Sequence, residues 1–155
     1  MTIGEVVFRR AKWDDLPAIV RLLADDELGS QREQYEEPLP ETYYAAFEQI
    51  DCDSNHELIV AERDGKVIGT LHLMFLPSLS FQGGSRAQVE SVRIDDSLRG
   101  KGIGSKLMKW TIEKAKSRGA HVLQLTTHGS RANAHRFYER LGFKGTHLGM
   151  KLSLN

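Results

Sequence analysis

Gly100, Gly102 and Gly104 stand at alternate positions, with Arg99 before them, Lys101 and Ile103 between them and Ser105 directly after. Glycine lets a backbone approach a ligand closely. The first-turn N–H groups of a helix are unpaired and sit at the positive end of its dipole. Glycines running into a helix start, flanked by two bases, therefore predict a phosphate cradle. The spacing is Gly-x-Gly-x-Gly, not the Gly-x-Gly-x-x-Gly of dinucleotide folds. Gly104-Ser105-Lys106 also reverses the order that a nucleotide P-loop needs. Neither nucleotide motif fits.

The cradle requires a strand before it and a helix after it. Gln88 to Ile94 alternates like a strand, and Leu107, Met108, Thr111, Ile112 and Ala115 give a helix face from about Ile103 to Arg118, closed by Gly119. Val122 to Thr126 reads as the next strand, so this stretch predicts a parallel strand–helix–strand crossover. Upstream, Val6 to Arg9 reads as a strand. Leu16, Ile19, Leu22 and Leu23 share a helical face, and Asp25 to Pro40 reads as a loop or broken helix. Pro40 then opens a second helix carrying Tyr43, Tyr44, Phe47 and Ile50. Leu58 to Glu62 and Val67 to Phe75 flank Asp64-Gly65, a strong hairpin signal. Pro77 to Ser85 reads as a loop. Asn133 to Leu141 predicts a short helix closed by Gly142, and Phe143 to Leu154 one or two further strands. The expected order is β-α-α-β-β-β-α-β-α-β-β, a mixed α/β (α+β-like) sheet of about six to seven strands flanked by about four helices.

Charge is unevenly placed. From Asp25 to Glu57 there are eleven acids and one base, Arg32, a charge of −10; from Arg99 to Asn155 twelve bases and two acids give +10. Two oppositely charged ligands would suit this, and so would two solvated faces. Nucleic acid is not expected, since the acidic stretch would repel it. The 155 residues, 40% apolar and 27% charged, predict a single domain, 1–155, able to bury roughly two thirds of its surface. No apolar run approaches the roughly 20 residues of a membrane span, and Met1-Thr2-Ile3-Gly4-Glu5 lacks the basic and apolar regions of a secretory leader, so a cytoplasmic location is expected. The lone Cys52 makes no internal disulfide, and no metal site is expected.

The segment Arg99-Gly100-Lys101-Gly102-Ile103-Gly104 resembles the Arg/Gln-x-x-Gly-x-Gly/Ala signature of the GNAT family of N-acetyltransferases. Phe137-Tyr138-Glu139-Arg140-Leu141-Gly142-Phe143 resembles the Phe-Tyr-x-x-x-Gly-Phe at the end of that family's last helix. Taken alone, an aromatic pair on a short helix reads as core packing; the glycine loop upstream gives it weight. The likeness runs from about Leu58 to Leu154 and is similar to the small-amine type, including aminoalkylphosphonate N-acetyltransferases.

The resemblance implies a GNAT-like central sheet and acetyl-coenzyme A as co-substrate. It implies that Arg99, Gly100, Lys101, Gly102, Ile103, Gly104 and Ser105 hold the pyrophosphate, and that Val92 and Ile94 pair main chain to main chain with the pantetheine arm. It places Tyr138 beside the sulfur, where a phenol can protonate a departing thiolate. Relatives carry an asparagine further ahead of this tyrosine. Here that position is Arg131, so either Asn133 or the arginines Arg131 and Arg136 would meet the coenzyme.

The acceptor would be an amine, which must shed a proton before attack. Glu90, two residues before Val92 and so on the same sheet face, would take it directly or through water. A strand-end salt bridge is the other reading of Glu90, and His72 and His128 are weaker candidates. A main-chain N–H near Val92 would steady the oxyanion. Cys52 lies between Asp51 and Asp53, which blunt a thiol, so direct transfer in a ternary complex is expected. The implied acceptor side is the stretch from Asp25 to Asp53, whose charge suits a cationic small molecule and whose aromatics, Tyr35, Tyr43, Tyr44 and Phe47, suit cation–π contacts. A homodimer pairing through Leu148 to Leu154 is also expected.

Overall fold

A computed structural model describes residues 4–155. Met1-Thr2-Ile3, the start of the stretch read for a leader, lies outside the described residues. The chain divides into a larger compact unit ending at Gln124 and a second from Leu125 to Asn155.

The larger unit is built on β1 (Val7–Arg10), β2 (His56–Arg63), β3 (Lys66–Leu76), β4 (Ser85–Ile94) and β5 (Ala120–Gln124), lying side by side in that order. Neighbours are antiparallel except β4 and β5, which are parallel. The hairpin between β2 and β3 turns at Asp64 (φ 51°) and Gly65 (φ 76°), with Arg63 opposite Lys66. Two positive φ values are what a two-residue turn needs to match strand twist.

Helices α1 (Leu16–Ala24), α2 (Glu27–Arg32) and α3 (Glu41–Asp51) follow β1. Leu16, Ile19, Val20 and Leu22 of α1 and Phe47 of α3 bury against Val60 and Val67. Successive strand residues point to opposite faces. Ala61 therefore faces the other way, where it clusters with Ile68, Leu98 and Ile103. Ile103 begins α5 (Ile103–Ser117), which buries Leu107, Met108, Thr111 and Ala115. The expected crossover is present: β4, α5, β5, with the last strand parallel to the first.

The acidic and basic stretches meet inside this unit. Glu57, buried on β2, takes Lys114 of α5 at 2.9 Å and Arg118, just past the end of α5, at 3.4 Å.

Two expectations are corrected. The loop at 77–85 contains a four-residue turn, α4 (Ser80–Gly83), in which Phe81 and Gln82 are left-handed. In the second unit, α6 (Ala132–Arg140) matches the expected short helix. The strands expected from Phe143 to Leu154 do not form, so the sheet among the described residues has five strands, not six to seven, and six helices, not about four. Leu148, Met150, Leu152 and Leu154 alternate as a strand would, yet they are 85–91% exposed. Alternation supplies only the side-chain half of a strand; a ladder also needs a hydrogen-bonding edge, and Gly145 and Gly149 weaken the extended run. No helix among the described residues is long and apolar enough to cross a membrane.

Candidate active site

β4 hands directly to the glycine loop. After Ile94, the Asp95 carboxylate accepts from Ser97 N at 3.1 Å and Ser97 Oγ at 2.8 Å, starting a short turn, Asp96–Leu98. Arg21 of α1 reaches the same carboxylate at 3.3 Å. The Ser97 hydroxyl foremost, with Arg21 adding to it, holds the Asp95 carboxyl below its ordinary range against a modest opposing effect of burial. This pins the loop's entry to α1.

Gly100 (φ 75°) and Gly102 (φ 83°) are left-handed, a region that favours glycine. A Cβ built at either meets nothing within 4 Å, so the loop's outer side is open. The first helical bond of α5 runs from Lys106 N to Gly102 O at 3.1 Å. The N–H groups of Ile103, Gly104 and Ser105 therefore have no acceptor within the helix. Ile103 turns its side chain into the core, only 4% exposed, and offers the loop its backbone alone. Arg99 is tied back by Asp96 at 2.9 Å and by the Ile94 carbonyl at 3.4 Å, and its side chain stays half exposed. The open side, the free N–H row and the bases Arg99 and Lys101 fit a diphosphate.

The strand leading in has an open flank. β4 pairs with β3 along almost its full length, but with β5 only up to Gln88 opposite Gln124. From Val89 to Ile94 the β5-side edge of β4 carries no partner strand among the described residues. Within this stretch Ser91 is left-handed (φ 57°), and the register against β3 shifts between Thr70 and His72, a β-bulge. The bulge overturns one expectation: Glu90 and Val92 are not placed on one face by their spacing. The register instead sets Glu90 across from His72, and Arg93 across from Thr70. Sequence offers no signal for this kink, since serine rarely adopts a positive φ.

Around Glu90 lies a polar patch. Gln124 Nε2 donates to Gln88 Oε1 at 2.9 Å, and Gln88 Nε2 donates to Glu90 Oε1 at 2.9 Å. Nε2 of His72 meets Nδ1 of His56 at 2.9 Å, and Asp53 lies 3.8 Å from His56 Nε2. Burial, with the charge of His56 second, holds His72 below the ordinary imidazole value, while Glu90 pulls the other way. His56 was not among the sequence candidates. Counting back from the Asp64-Gly65 turn brings it beside His72, which is the signal that could have found it.

Two cavities flank this machinery. One, of about 220 Å3, is lined by Glu5, Phe8, Lys101, Ile103 and Lys106. The other, of about 140 Å3, opens beside the bulge at Ser91 and His72. The smaller one adjoins the titratable His72.

The second unit carries the remaining candidates. On α6, Tyr138 packs edge-on against Phe137 at 5.1 Å and Phe143 at 5.7 Å between ring centres. Asn133 Oδ1 accepts from Arg136 on the next turn, so that amide is already engaged. Arg131 sits at the N-terminal cap of α6. Glu90, Val92, Ile94 and Arg99 to Ser105 thus form one continuous ribbon in the larger unit, while Asn133 and Tyr138 belong to the second.

A mixed sheet with a parallel crossover, opening into a glycine-rich helix start, defines a mixed α/β fold. The model of the Acetyltransferase (GNAT) family matches residues 23–143. The chain belongs to that family, whose members use acetyl-coenzyme A. It is 36% identical, over 61% of its length, to the aminoalkylphosphonate N-acetyltransferase of Salmonella typhimurium, and covers 61% of that protein. A solved transcriptional regulator from Bacillus halodurans C-125 superposes with a TM-score of 0.94 at 49% identity, over 97% of this chain and all of that one. A putative acetyltransferase from Agrobacterium tumefaciens superposes with a TM-score of 0.84 at 25% identity, over 95% of this chain and 99% of that one. The chain spans about six tenths of the length of the curated relatives it matches first.

Proposed function

We propose that this chain is an acetyl-coenzyme A-dependent N-acetyltransferase that acts, as one catalytic domain, on the amino group of a small molecule. The observation that carries the reading is the unpartnered edge of β4 from Val89 to Ile94, leading straight into the open glycine loop. A diphosphate bearing a peptide-like arm needs that pair of features in that order.

Acetyl-coenzyme A supplies an activated acetyl thioester. The N–H row and bases from Arg99 to Ser105 bind its diphosphate, and the backbone at Val92 and Ile94 pairs with its arm. A main-chain N–H near Val92 donates to the carbonyl oxygen. Glu90 draws the proton from the acceptor ammonium, directly or through water, with His72 opposite as a second proton carrier. The Tyr138 hydroxyl gives a proton to the thiolate, and Asn133 or its arginine neighbours contact the coenzyme. Transfer is direct, since Cys52 is exposed between two acids and outside this ribbon. The name of the Salmonella typhimurium relative supports a small amine over a protein amino group.

A second reading, a non-catalytic acyl-coenzyme A sensor, draws on the name of the Bacillus halodurans structure. Thiol release from acetyl-coenzyme A against a panel of amines and peptides, run beside calorimetry of coenzyme binding, separates the two. Amine-dependent release supports the enzyme. Binding without release supports the sensor, and absence of binding sinks both.

A further inference from the structure

The cavity of about 140 Å3 beside the bulge lies on the sheet face covered by α1 and α3. Its depth is hydrocarbon, from Leu16, Ile19, Phe47, Ile50 and Leu58. The polar groups in that depth are already committed. Thr70 Oγ1 donates to the Ile59 carbonyl at 2.8 Å. The Tyr43 hydroxyl accepts from Gln34 N at 2.9 Å and donates to Glu33 at 3.1 Å, leaving only its ring to the wall. The groups still able to meet an occupant, His72 and Ser91, stand at the rim beside β4. None of the lining residues is acidic, although eleven acids fall between Asp25 and Glu57.

This lining discriminates between acceptor classes. A phosphonate, a hydroxyl-rich ring or a second ammonium placed here would go unpaired, at a cost of about tenfold in affinity for each group. An alkyl or aryl group meets no such cost, and a dry aliphatic cavity of roughly 150 Å3 can take up a benzene ring. We infer that the acceptor is a primary amine bearing one compact apolar group, no larger than a phenyl ring, which fills this cavity while the amino group stays at the rim with His72, Ser91 and Glu90. The inference rests on the acetyl-transfer reading and narrows it: the acidic stretch does not select a long polycation, because its carboxylates do not line the cavity.

The test uses the full chain and two readouts. Thiol release is measured with methylamine, propylamine, butylamine and phenethylamine, and with ethanolamine, 2-aminoethylphosphonate and spermidine. Separately, the same amines are titrated without coenzyme while the methyl resonances of Ile50 and Leu58 are followed. Each buried methylene should add about fourfold to kcat/KM, so butylamine should exceed methylamine by at least about tenfold, and the polar amines should trail. Ala46→Trp, on the exposed part of α3 at the cavity wall, should flatten that series. Phenethylamine should move the Ile50 and Leu58 signals. Release with the polar amines at equal or higher kcat/KM, with those methyls unmoved, overturns the inference and leaves acetyl transfer standing. Methyl shifts with phenethylamine but no release with any amine support the cavity assignment and count against acetyl transfer.

Discussion

Nε2 of His72 lies 2.9 Å from Nδ1 of His56. Asp53 lies 3.8 Å from the far nitrogen of the His56 ring. One of the two facing nitrogens donates and the other accepts, so the rings share a single hydrogen bond. Glu90 from β4 faces the same ring. Burial foremost, with the neighbouring His56 second, holds His72 below the ordinary imidazole value.

The sign of the pH effect follows. A depressed folded pKa means that this contribution to stability is intact above the unfolded value of about 6.5 and is lost as pH falls through the lower folded value. The urea midpoint of the parent should drop between about pH 7 and pH 5. His72→Gln should shrink the drop. Equal drops in both proteins would place the acid sensitivity elsewhere.

Gly102 tests the diphosphate assignment. Space is not the limit there, since a Cβ meets nothing; the left-handed backbone is, and so would be the negative charge of the proposed diphosphate. Gly102→Glu should abolish coenzyme binding by calorimetry. Gly102→Asn, which tolerates a positive φ, should bind more weakly than the parent yet measurably. Parent-like affinity in the glutamate variant would remove the loop from the coenzyme site.

Tyr138 tests the proton donor. Its ring is held by Phe137 and Phe143, packing that phenylalanine preserves. Tyr138→Phe should therefore lower kcat by about 10²-fold while the coenzyme dissociation constant stays within about twofold. Undiminished turnover would mean that water or another group protonates the thiolate.

The exposed alternation of Leu148, Met150, Leu152 and Leu154 tests self-association. Such a run is a ready template for pairing between chains. The parent should sediment as a dimer, and Met150→Glu combined with Leu152→Glu as a monomer with an unchanged far-ultraviolet spectrum. A monomeric parent would end that expectation.

Local chemistry was the legible part of the sequence. The open glycine turn needs only Gly100, Gly102 and the helix start beside them, and the β2–β3 hairpin needs only Asp64-Gly65. Features set by distant pairing were not legible. The kink at Ser91 arises where β4 is held by β3 and released by β5, and nothing in Glu90-Ser91-Val92 announces it. The tail misled for the converse reason: its alternation is real, but side-chain pattern alone does not supply a neighbour. The −10 stretch read as an acceptor lure because charge can be counted without knowing where it points. One of those acids, Glu57, turns inward to Lys114 of α5 and to Arg118 at its end, and serves packing.

The gap beside β4 has one more consequence. If a peptide-like arm fills it, the missing strand of the sheet arrives with the substrate, and binding adds to the folding equilibrium by mass action. The amides from Val89 to Ile94 would then exchange with solvent quickly in a starved cell and slowly in a fed one, making this protein's durability a readout of its own supply of thioester.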